Sequence, residues 1–513
     1  MILIVNLGLK SIRAILFDKQ GKRMATSGLQ VNSRLGQDRV EQSIPEWRDK
    51  LFSVVSDVLD TAGADDAVDY ISVSCSSSCL VPVTKDLGPA GQVIMVSDKR
   101  AKAEGIVISQ NPEFQRLAQL YGYSASQYSQ LARILWLKHH QPETHARTWK
   151  YLSPNDYIIS VMTGGTAVTD TLNAEKLFWD KQRESYPVEL FESLDLDVGQ
   201  LPECVEIGTN VGSVSSEFAE AVGLPNRPQV VVGTYDAICS VFGTGVSSPG
   251  QVCDVSGTVT SIRMYSDTPF VDQKGRIFSQ HFPPTHGYLL GGSNNLGGGL
   301  IEWAKTCFYK GDDNPYESIQ AEISEVIEEG ITHAGLVFLP NLLGSRAPDW
   351  NPNSRGVFFG LERHHDRAEM IRAIVEAIGF SIRDFLEIFK ESQTTPDMIT
   401  ASGGLAKLTV ANEIKATITG LPYHYMDEFE STALGAAIIV MCATGYYGSY
   451  SEACKDIVAT RQIFLPRRHL QAYYEDMYGL YRELSAAMDP LFEKRRIVAE
   501  AHASLNVERV ENL

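Results

Sequence analysis

The chain has few basic residues for its length. Its 513 residues contain 45 Lys and Arg against 63 Asp and Glu, a formal net charge of −18 at pH 7. An acidic surface repels the phosphate backbone of nucleic acids and the headgroups of anionic lipids. We therefore expect neither a nucleic acid nor a membrane as a partner. A site for a phosphorylated ligand would need local donors.

Cysteine and long apolar runs are also scarce. The eight cysteines are scattered, and no second pair or histidine cluster joins Cys75 and Cys79 in a structural metal site. This usage favours a reducing, cytoplasmic location. No uninterrupted apolar stretch is long enough to cross a bilayer. The apolar run at Met1 ends after five residues and has no basic leader, so we expect a first strand there rather than a signal peptide.

Length and pattern predict two α/β domains. A chain of 513 residues is too long for one compact core. Short apolar strands alternate with amphipathic helical patterns, which is typical of α/β domains. Residues 2–17 form a predicted β-hairpin around a turn that holds Asn6, Gly8 and Ser11, and residues 252–264 repeat this plan around Gly257-Thr258. The repeat predicts that both domains share one architecture.

A single carboxylate stands out in residues 231–260. An apolar run ends at Gly233-Thr234, Asp236 follows at a predicted helix start, and Gly243-Thr-Gly245 ends that helix. A carboxylate there can accept a proton, and nearby glycines let backbone N–H groups approach phosphate oxygens. An ordinary helix cap and hairpin turn would give the same pattern. Taken alone, the segment leaves both interpretations open.

Two later segments are rich in glycine or small residues. A strand over 398–402 leads to Gly403-Gly404 and then to a helix over about 410–420, a pattern typical of an anion or nucleotide site but also of packing. The small residues of 430–437 predict a helix that packs closely on a sheet. The tail from residue 483 has a helical pattern to about residue 507.

Six separated segments form an ordered set along the chain. They are Gly8–Asp18, Leu135–Lys138 with Pro154–Tyr157, Gly233–Gly245, Ser256–Thr258, Arg355–Leu361, and Gly403–Lys407 with Ala433–Ala437. In this order the chain resembles the FGGY carbohydrate kinases, a branch of the actin-like ATPase superfamily, over nearly its whole length, and within that family it resembles the xylulose kinases most.

The resemblance implies a fold and a reaction. It implies two ribonuclease-H-like domains with an interdomain cleft, an amino-terminal sugar-binding domain over 1–245 and a carboxy-terminal ATP-binding domain over 246–513. The reaction would transfer the γ-phosphoryl group of ATP to a sugar hydroxyl, with Mg²⁺ as cofactor and Asp236 as general base. The family often forms dimers, so a homodimer is an expected assembly.

The resemblance also assigns residues. Asn6 and Asp236 would contact the metal. Ser77, Ser78, Asp98 and Asp236 would contact the sugar, although Ser77 and Ser78 replace a Met-His pair of the xylulose kinases and also fit a serine-rich strand end. The residues assigned to ATP are Gly8, Ser11, Arg13, Gly257, Thr258, Gly298, Gly299, Gly403 and Gly404.

Several positions depart from the family pattern and keep alternatives open. Asn6 replaces an aspartate near the metal, Leu9 replaces a threonine of the first phosphate hairpin, Ser345 replaces a glutamate, and Thr417 replaces an aspartate. An amide oxygen can contact Mg²⁺ but lacks the charge of a carboxylate. We favour D-xylulose as substrate and D-xylulose 5-phosphate as product. The alternatives are a kinase for another ketose, a polyol or a sugar acid, such as ribulose or gluconate, or a catalytically impaired sugar-binding relative. An actin-like ATPase that assembles fits less well.

Overall fold

The computed structural model describes residues 1–36, 38–63, 67–126, 128–295, 297–328, 335–426 and 430–502. The predicted helical tail can therefore be compared only as far as residue 502. Its remaining part, residues 503–507, lies outside the described residues.

Strands are numbered along the chain. Within the described ranges they are β1 (Ile2–Leu7), β2 (Ser11–Phe17), β3 (Arg23–Gln30), β4 (Arg34–Leu35), β5 (Val40–Gln42), β6 (Tyr70–Cys75), β7 (Val81–Val83), β8 (Val93–Ile94), β9 (Lys150–Leu152), β10 (Val168–Asp170), β11 (Glu203–Val205), β12 (Asn210–Ser213), β13 (Gln229–Val231), β14 (Gln251–Ser256), β15 (Thr260–Ser266), β16 (Phe278–Phe282), β17 (Gly287–Asn294), β18 (Val337–Pro340), β19 (Gly356–Phe359), β20 (Met398–Ser402), β21 (Tyr423–Met426) and β22 (Thr460–Phe464).

Helices are numbered in the same way. In the same ranges they are α1 (Ile44–Ala62), α2 (Lys102–Ser109), α3 (Pro112–Tyr121), α4 (Gln130–His140), α5 (Pro142–Arg147), α6 (Pro154–Thr163), α7 (Thr171–Ala174), α8 (Val188–Ser193), α9 (Ser216–Val222), α10 (Asp236–Gly243), α11 (Gly298–Phe308), α12 (Pro315–Glu328), α13 (Arg367–Phe389), α14 (Thr409–Thr419), α15 (Ser431–Ala443), α16 (Tyr450–Ile457) and α17 (Gln471–Ala501).

Two large sheets have matching centres. The first has the order β12-β13-β6-β1-β2-β3 and the second β16-β17-β15-β14-β20-β21-β22. In the first, β1 pairs antiparallel with β2 and parallel with β6. In the second, β14 pairs antiparallel with β15 and parallel with β20. The α/β class and the two domains of one architecture predicted from the sequence are thus confirmed.

The central strands are buried on both faces. In β1, Ile2, Leu3, Ile4, Val5 and Leu7 are all 0% exposed. A continuous apolar run is what a strand covered on both sides requires, and this explains why the sequence shows a run here rather than an alternation. Polar groups that lie beyond the carboxyl end of such a strand are outside its apolar run, so they do not disturb the core.

The chain divides into two compact units. The first comprises Met1–Ser247, Gln280–Gly287 and Glu430–Val458, and the second comprises Ser248–Ser279, Tyr288–Phe429 and Ala459–Leu513. The predicted division after residue 245 lies close to Ser247, but a single cut leaves out the two later segments of the first unit. The physical reason is that α15 and α16 pack on α10, and α15 also packs on β1 and β6.

The small residues of α15 allow this packing. Its contacts with β1 and β6 agree with the predicted packing on a sheet, and its closest approach is to the helix α10. A Cβ added to Gly435 would overlap the carbonyl oxygen of Cys239, and one added to Gly243 would overlap that of Ser431. The two helix backbones therefore touch at a pair of glycines.

Two further observations bear on the class of protein. No helix within the described ranges combines the length and the apolar character that a bilayer crossing needs. All eight cysteines fall within those ranges, and none of them is in a disulfide bond.

The glycine contact between α10 and α15 predicts a large effect of one methyl group. Gly435→Ala should lower the free energy of unfolding by about 3 kcal/mol, because the methyl can be accommodated only if the helices separate. Gly479→Ala is the control, since Gly479 lies in α17 with no atom within 4 Å of an added Cβ. It should leave stability unchanged or raise it by up to about 1 kcal/mol. Urea unfolding followed by circular dichroism measures both, and equal midpoints would contradict the contact.

Candidate active site

One edge of the first sheet gathers three chain segments. Strands β1, β6 and β13 are parallel to one another, so their carboxyl ends lie at the same edge. Gly8 follows β1, Ser76–Ser78 follow β6, and Thr234–Asp236 follow β13. Crevices at such edges are the usual ligand sites of parallel α/β sheets. The fold thus brings the predicted base and the predicted serine contacts to one edge.

Asp236 is the first residue of α10 and is half-buried. Its Oδ1 accepts the N–H of Ala237 at 2.7 Å, and its Oδ2 lies 3.5 Å from Ser76 Oγ. The preceding Tyr235 donates its hydroxyl to Gln280 Oε1 at 2.5 Å, and both side chains are buried. The Asp236 carboxylate therefore lies at the helix start, directly after a residue held by a buried side-chain hydrogen bond.

Ser76 was not among the residues predicted from the sequence. Its N–H donates to Leu7 O at 2.8 Å, which ties the end of β6 to the end of β1. The signal that could have found it is the unbroken run of three serines between Cys75 and Cys79.

A buried arginine holds the serine loop. Arg133 of α4 is 0% exposed and donates to Ser78 O and, at 2.9 Å, to Val96 O. Ser78 has a φ of 62°, in the left-handed region that a non-glycine residue adopts only when its surroundings impose it. The Ser77 and Ser78 hydroxyls lie 3.2 Å apart. Burial lowers the pKa of Arg133 to about 10, so its guanidinium is still charged at neutral pH.

Asp98 lies in the same unit but its oxygens are already occupied. The carboxylate is 0% exposed. Arg100 Nε donates to Oδ1 at 2.8 Å, Arg100 Nη2 donates to Oδ2 at 2.7 Å, and Val40 N–H donates to Oδ2 at 2.7 Å. The backbone N–H of Arg100 also donates to Oδ1 at 3.1 Å, so a direct contact between Asp98 and a sugar would require one of these four bonds to break.

The first hairpin turn is held by polar contacts on several sides. Gly8 N–H donates to Ser11 O at 2.9 Å, which closes the turn between β1 and β2. The buried Gln42 donates its Nε2 to Leu9 O at 2.8 Å. The Leu9 side chain is 42% exposed. An apolar group thus stands where the resemblance leads one to expect a hydroxyl.

Arg13, which was assigned to ATP, forms an ion pair in the first unit. Its Nη1 lies 2.7 and 2.9 Å from the two carboxylate oxygens of Glu430. Glu430 belongs to the segment that returns to the first unit late in the chain. Part of the positive charge that a phosphate would meet at Arg13 is thus neutralised by Glu430.

Asn6 and Asp236 are the predicted metal contacts. Asn6 Nδ2 donates to Ser74 O at 2.8 Å, which leaves the amide oxygen as the group that could face a cation or its water. Within the described ranges, no group of three or more acidic, histidine or cysteine side chains is arranged to hold a metal. Mg²⁺ commonly takes one or two protein oxygens together with waters and substrate phosphates. The residues present therefore fit a metal carried by a nucleotide and not a metal caged by protein.

The second unit builds a corresponding edge. Parallel strands β14 and β20 end at Ser256 and Ser402 and are followed by the loop 257–259 and by Gly403-Gly404. The start of α11 joins them: the N–H groups of Gly297, Gly298 and Gly299 donate to carbonyl oxygens of Gly257 and Thr258 at 2.8 to 3.1 Å. The resemblance assigned Gly298 and Gly299 to ATP. Their N–H groups instead bond to the hairpin loop 257–259 and hold it in place.

Two glycines at this edge border open space. A Cβ added to Gly257 or to Gly404 would have no atom within 4 Å. Gly403 differs, because its φ is 90° and an added Cβ would lie 2.7 Å from Ser256 O. Thr258 is exposed. Gly403 is therefore required by the fold, whereas Gly257 and Gly404 leave room beside the backbone.

Two of the departures from the family pattern have local structural roles. Ser345 is buried and its Oγ bonds to the backbone of Asn351, with which it closes the loop 345–351. Thr417 Oγ1 donates to Glu413 O at 2.9 Å and accepts the N–H of Arg467 at 3.2 Å.

Known proteins share both the sequence pattern and the fold. The xylulose kinase of Staphylococcus xylosus is 22% identical over 94% of this chain and 98% of its own length. The gluconokinase of Bacillus licheniformis is 25% identical over 94% and 95%. The crystal structure of ligand-bound xylulose kinase from Lactobacillus acidophilus superposes with a TM-score of 0.86 at 25% identity, covering 96% of this chain and all of the other.

Family models match most of the chain. The amino-terminal domain of the FGGY family of carbohydrate kinases matches residues 1–243, and the carboxy-terminal domain of that family matches residues 255–444. Together with the motif order and the two matching sheets, these matches show that the chain belongs to the FGGY family of carbohydrate kinases.

Proposed function

We propose that this chain transfers the γ-phosphoryl group of ATP to a hydroxyl of a small neutral sugar, with D-xylulose as the first choice and D-xylulose 5-phosphate as the product. The observation that carries the proposal is the position of Asp236. Its carboxylate lies at the start of α10 and 3.5 Å from Ser76 Oγ, beside a loop whose hydroxyls can bind a polyol.

Asp236 acts as the general base. As the sugar oxygen forms its bond to the γ-phosphorus, the hydroxyl proton passes to an Asp236 oxygen and the bond to the bridging oxygen of ADP breaks. Such transfer depends mainly on positioning and charge neutralisation, so one well-placed carboxylate is enough side-chain chemistry.

Mg²⁺ bound with ATP would neutralise the phosphate charge. Asn6 and Asp236 would contact it directly or through water. Because Asn6 contributes no charge, affinity for the free metal should be low, and the nucleotide would supply most of the ligands.

The nucleotide phosphates are assigned to the glycine loops. Thr258 would offer its exposed hydroxyl, and the open space beside Gly257 and Gly404 would let the ligand approach the backbone.

Other glycines would support these loops without touching the ligand. Gly298 and Gly299 would hold the loop 257–259, and Gly403 would shape the turn after β20. Gly8 and Ser11 would hold the first hairpin turn, through the bond from Gly8 N–H to Ser11 O.

The charges around the serine loop favour a neutral sugar over a sugar acid. Arg133 is engaged with Ser78 O and Val96 O, and Arg100 with Asp98 and, at 2.7 Å, with Glu41. A gluconate carboxylate would need an accessible cationic partner. Arg133 keeps its charge, because its partners are neutral carbonyl groups, but its side chain is 0% exposed, and Arg100 is 4% exposed and paired with two carboxylates. D-Xylulose needs only hydroxyl partners.

A second candidate function is sugar binding with little turnover. Two observations favour it: Arg13 is paired with Glu430, and Leu9 presents an apolar side chain in the first hairpin. Measurable sugar affinity without sugar-dependent ADP release would support this candidate.

Asp236→Asn should lower kcat by at least about 100-fold, since an amide cannot accept the proton, while the affinity for ATP stays near that of the unsubstituted chain. A coupled ADP-release assay and calorimetric titration with MgATP measure the two effects. Asp195→Asn is the matched control in the same unit, because that side chain is 97% exposed. Full activity of Asp236→Asn would remove Asp236 as the base.

The substrate prediction is tested with a panel in the same assay. D-Xylulose should give the highest kcat/KM, D-ribulose and glycerol lower values, and D-gluconate the lowest, because both arginines described beside the serine loop are buried away from its carboxylate. A preference for D-gluconate would overturn the assignment of a neutral sugar.

Gly257→Ala and Gly404→Ala should each raise the KM for ATP about tenfold with an unchanged melting temperature. The added methyl enters space that the fold leaves open, so it obstructs a ligand and not the chain. Gly479→Ala controls for a glycine substitution remote from these loops. If both variants bind ATP normally, the phosphates lie elsewhere.

A further inference from the structure

A buried ion pair lies beneath the loop 257–259. Asp254 of β14 accepts Lys415 Nζ of α14 at 2.8 Å, and Tyr423 of β21 donates its hydroxyl to the same Oδ2 at 3.1 Å. The exposed fractions of the Lys415 and Asp254 side chains are 1% and 0%. The pair is therefore removed from solvent, and its two charges neutralise each other.

The ion pair is connected to the loop by hydroxyl groups. Ser256 Oγ donates to Asp254 Oδ1 at 2.6 Å and lies 3.1 Å from Thr260 Oγ1. A serine hydroxyl has one proton, and here it goes to the carboxylate, so Thr260 is the donor to Ser256. Ser256 and Thr260 are the cross-strand pair that ends the ladder of β14 and β15, so they bracket the loop.

The Ser256–Thr260 pair also supports the start of α11. An added Cβ at Gly297 would overlap Thr260 Oγ1, and Gly297 N–H donates to Thr258 O at 3.0 Å. The loop is thus held from its base by the hydroxyl pair and from its side by the backbone of α11.

Stability alone is a poor explanation for this arrangement. Replacing a buried ion pair with apolar residues of similar volume is often neutral or stabilising, because desolvation offsets the attraction between the charges. A fixed loop, by contrast, gives up less conformational freedom when a ligand binds to it.

We propose that Lys415, Asp254 and Ser256 are positioning residues that fix the loop 257–259 in the form that receives the nucleotide phosphates. The proposal rests on the function proposed above for that loop. None of the three needs to touch ATP, because their effect passes through the backbone between Ser256 and Thr260.

Ser256→Ala tests the connection, because it removes the hydroxyl and leaves the pairing of Lys415 and Tyr423 with Asp254 intact. Its Kd and KM for MgATP should rise about fivefold, the loss of one hydrogen bond, while the KM for the sugar is unchanged. Ser266→Ala is the matched control, because Ser266 is a buried serine at the other end of β15 whose Oγ lies 2.8 Å from Thr268 O and 2.9 Å from Thr394 Oγ1. It should leave ATP affinity unchanged.

The triple variant Asp254→Leu, Lys415→Met, Tyr423→Phe tests the ion pair itself. It removes the two charges and the tyrosine hydroxyl with little change in volume, so Ser256 loses its carboxylate acceptor, and it should show the same rise in Kd for MgATP as Ser256→Ala. Normal ATP affinity in Ser256→Ala, or an equal loss in Ser266→Ala, would overturn the positioning role. The calorimetric titration does not require turnover, so ATP binding without sugar phosphorylation would contradict the proposed reaction and leave this inference standing.

Discussion

The pairing of one central strand in each unit determines where chemistry can occur. β1 and β14 each pair antiparallel with the following strand and parallel with a strand from later in the chain. A hairpin loop and the loop that follows the parallel strand must therefore meet at one edge of each sheet. Ser76 of the serine loop bonds to Leu7 at the end of β1 in the first unit, and Gly403 lies against Ser256 at the end of β14 in the second. The residue types at these edges then decide what can bind there.

The two hairpin loops are anchored by different buried polar groups. In the first unit, Gln42 donates to Leu9 O and accepts the indole N–H of Trp47 at 2.8 Å. In the second, the ion pair of Asp254 and Lys415 works through Ser256. Buried polar atoms cost free energy unless they are hydrogen-bonded, so each anchor comes with its own partners. Both anchors place the loop by bonds made beneath it, which leaves the outer face of the loop free for a ligand.

The sequence was informative where the structure depends on neighbours along the chain. The hairpins could be predicted because each is two apolar runs around a turn, and Asp236 does begin a helix after a strand. Contacts between distant segments could not be predicted. Arg13 meets Glu430 across 417 positions, and Lys415 meets Asp254 across 161. Such pairs follow from the order of strands in a sheet and leave no local pattern. For the same reason, the return of 430–458 to the first unit was not foreseen.

The acidic chain has to avoid repelling a polyphosphate at its sheet edges. Several carboxylates near these edges are neutralised within their own unit: Asp254 by Lys415, and Asp98 by Arg100. Burial raises the pKa of Asp170 to about 6 even though Thr234 and Asn173 hydrogen-bond to it. That carboxyl is therefore easier to protonate than an exposed one. The base proposed at Asp236, which is half-buried, therefore shares its unit with carboxylates that are paired or easily protonated, and this would limit the repulsion that the phosphates of ATP meet there.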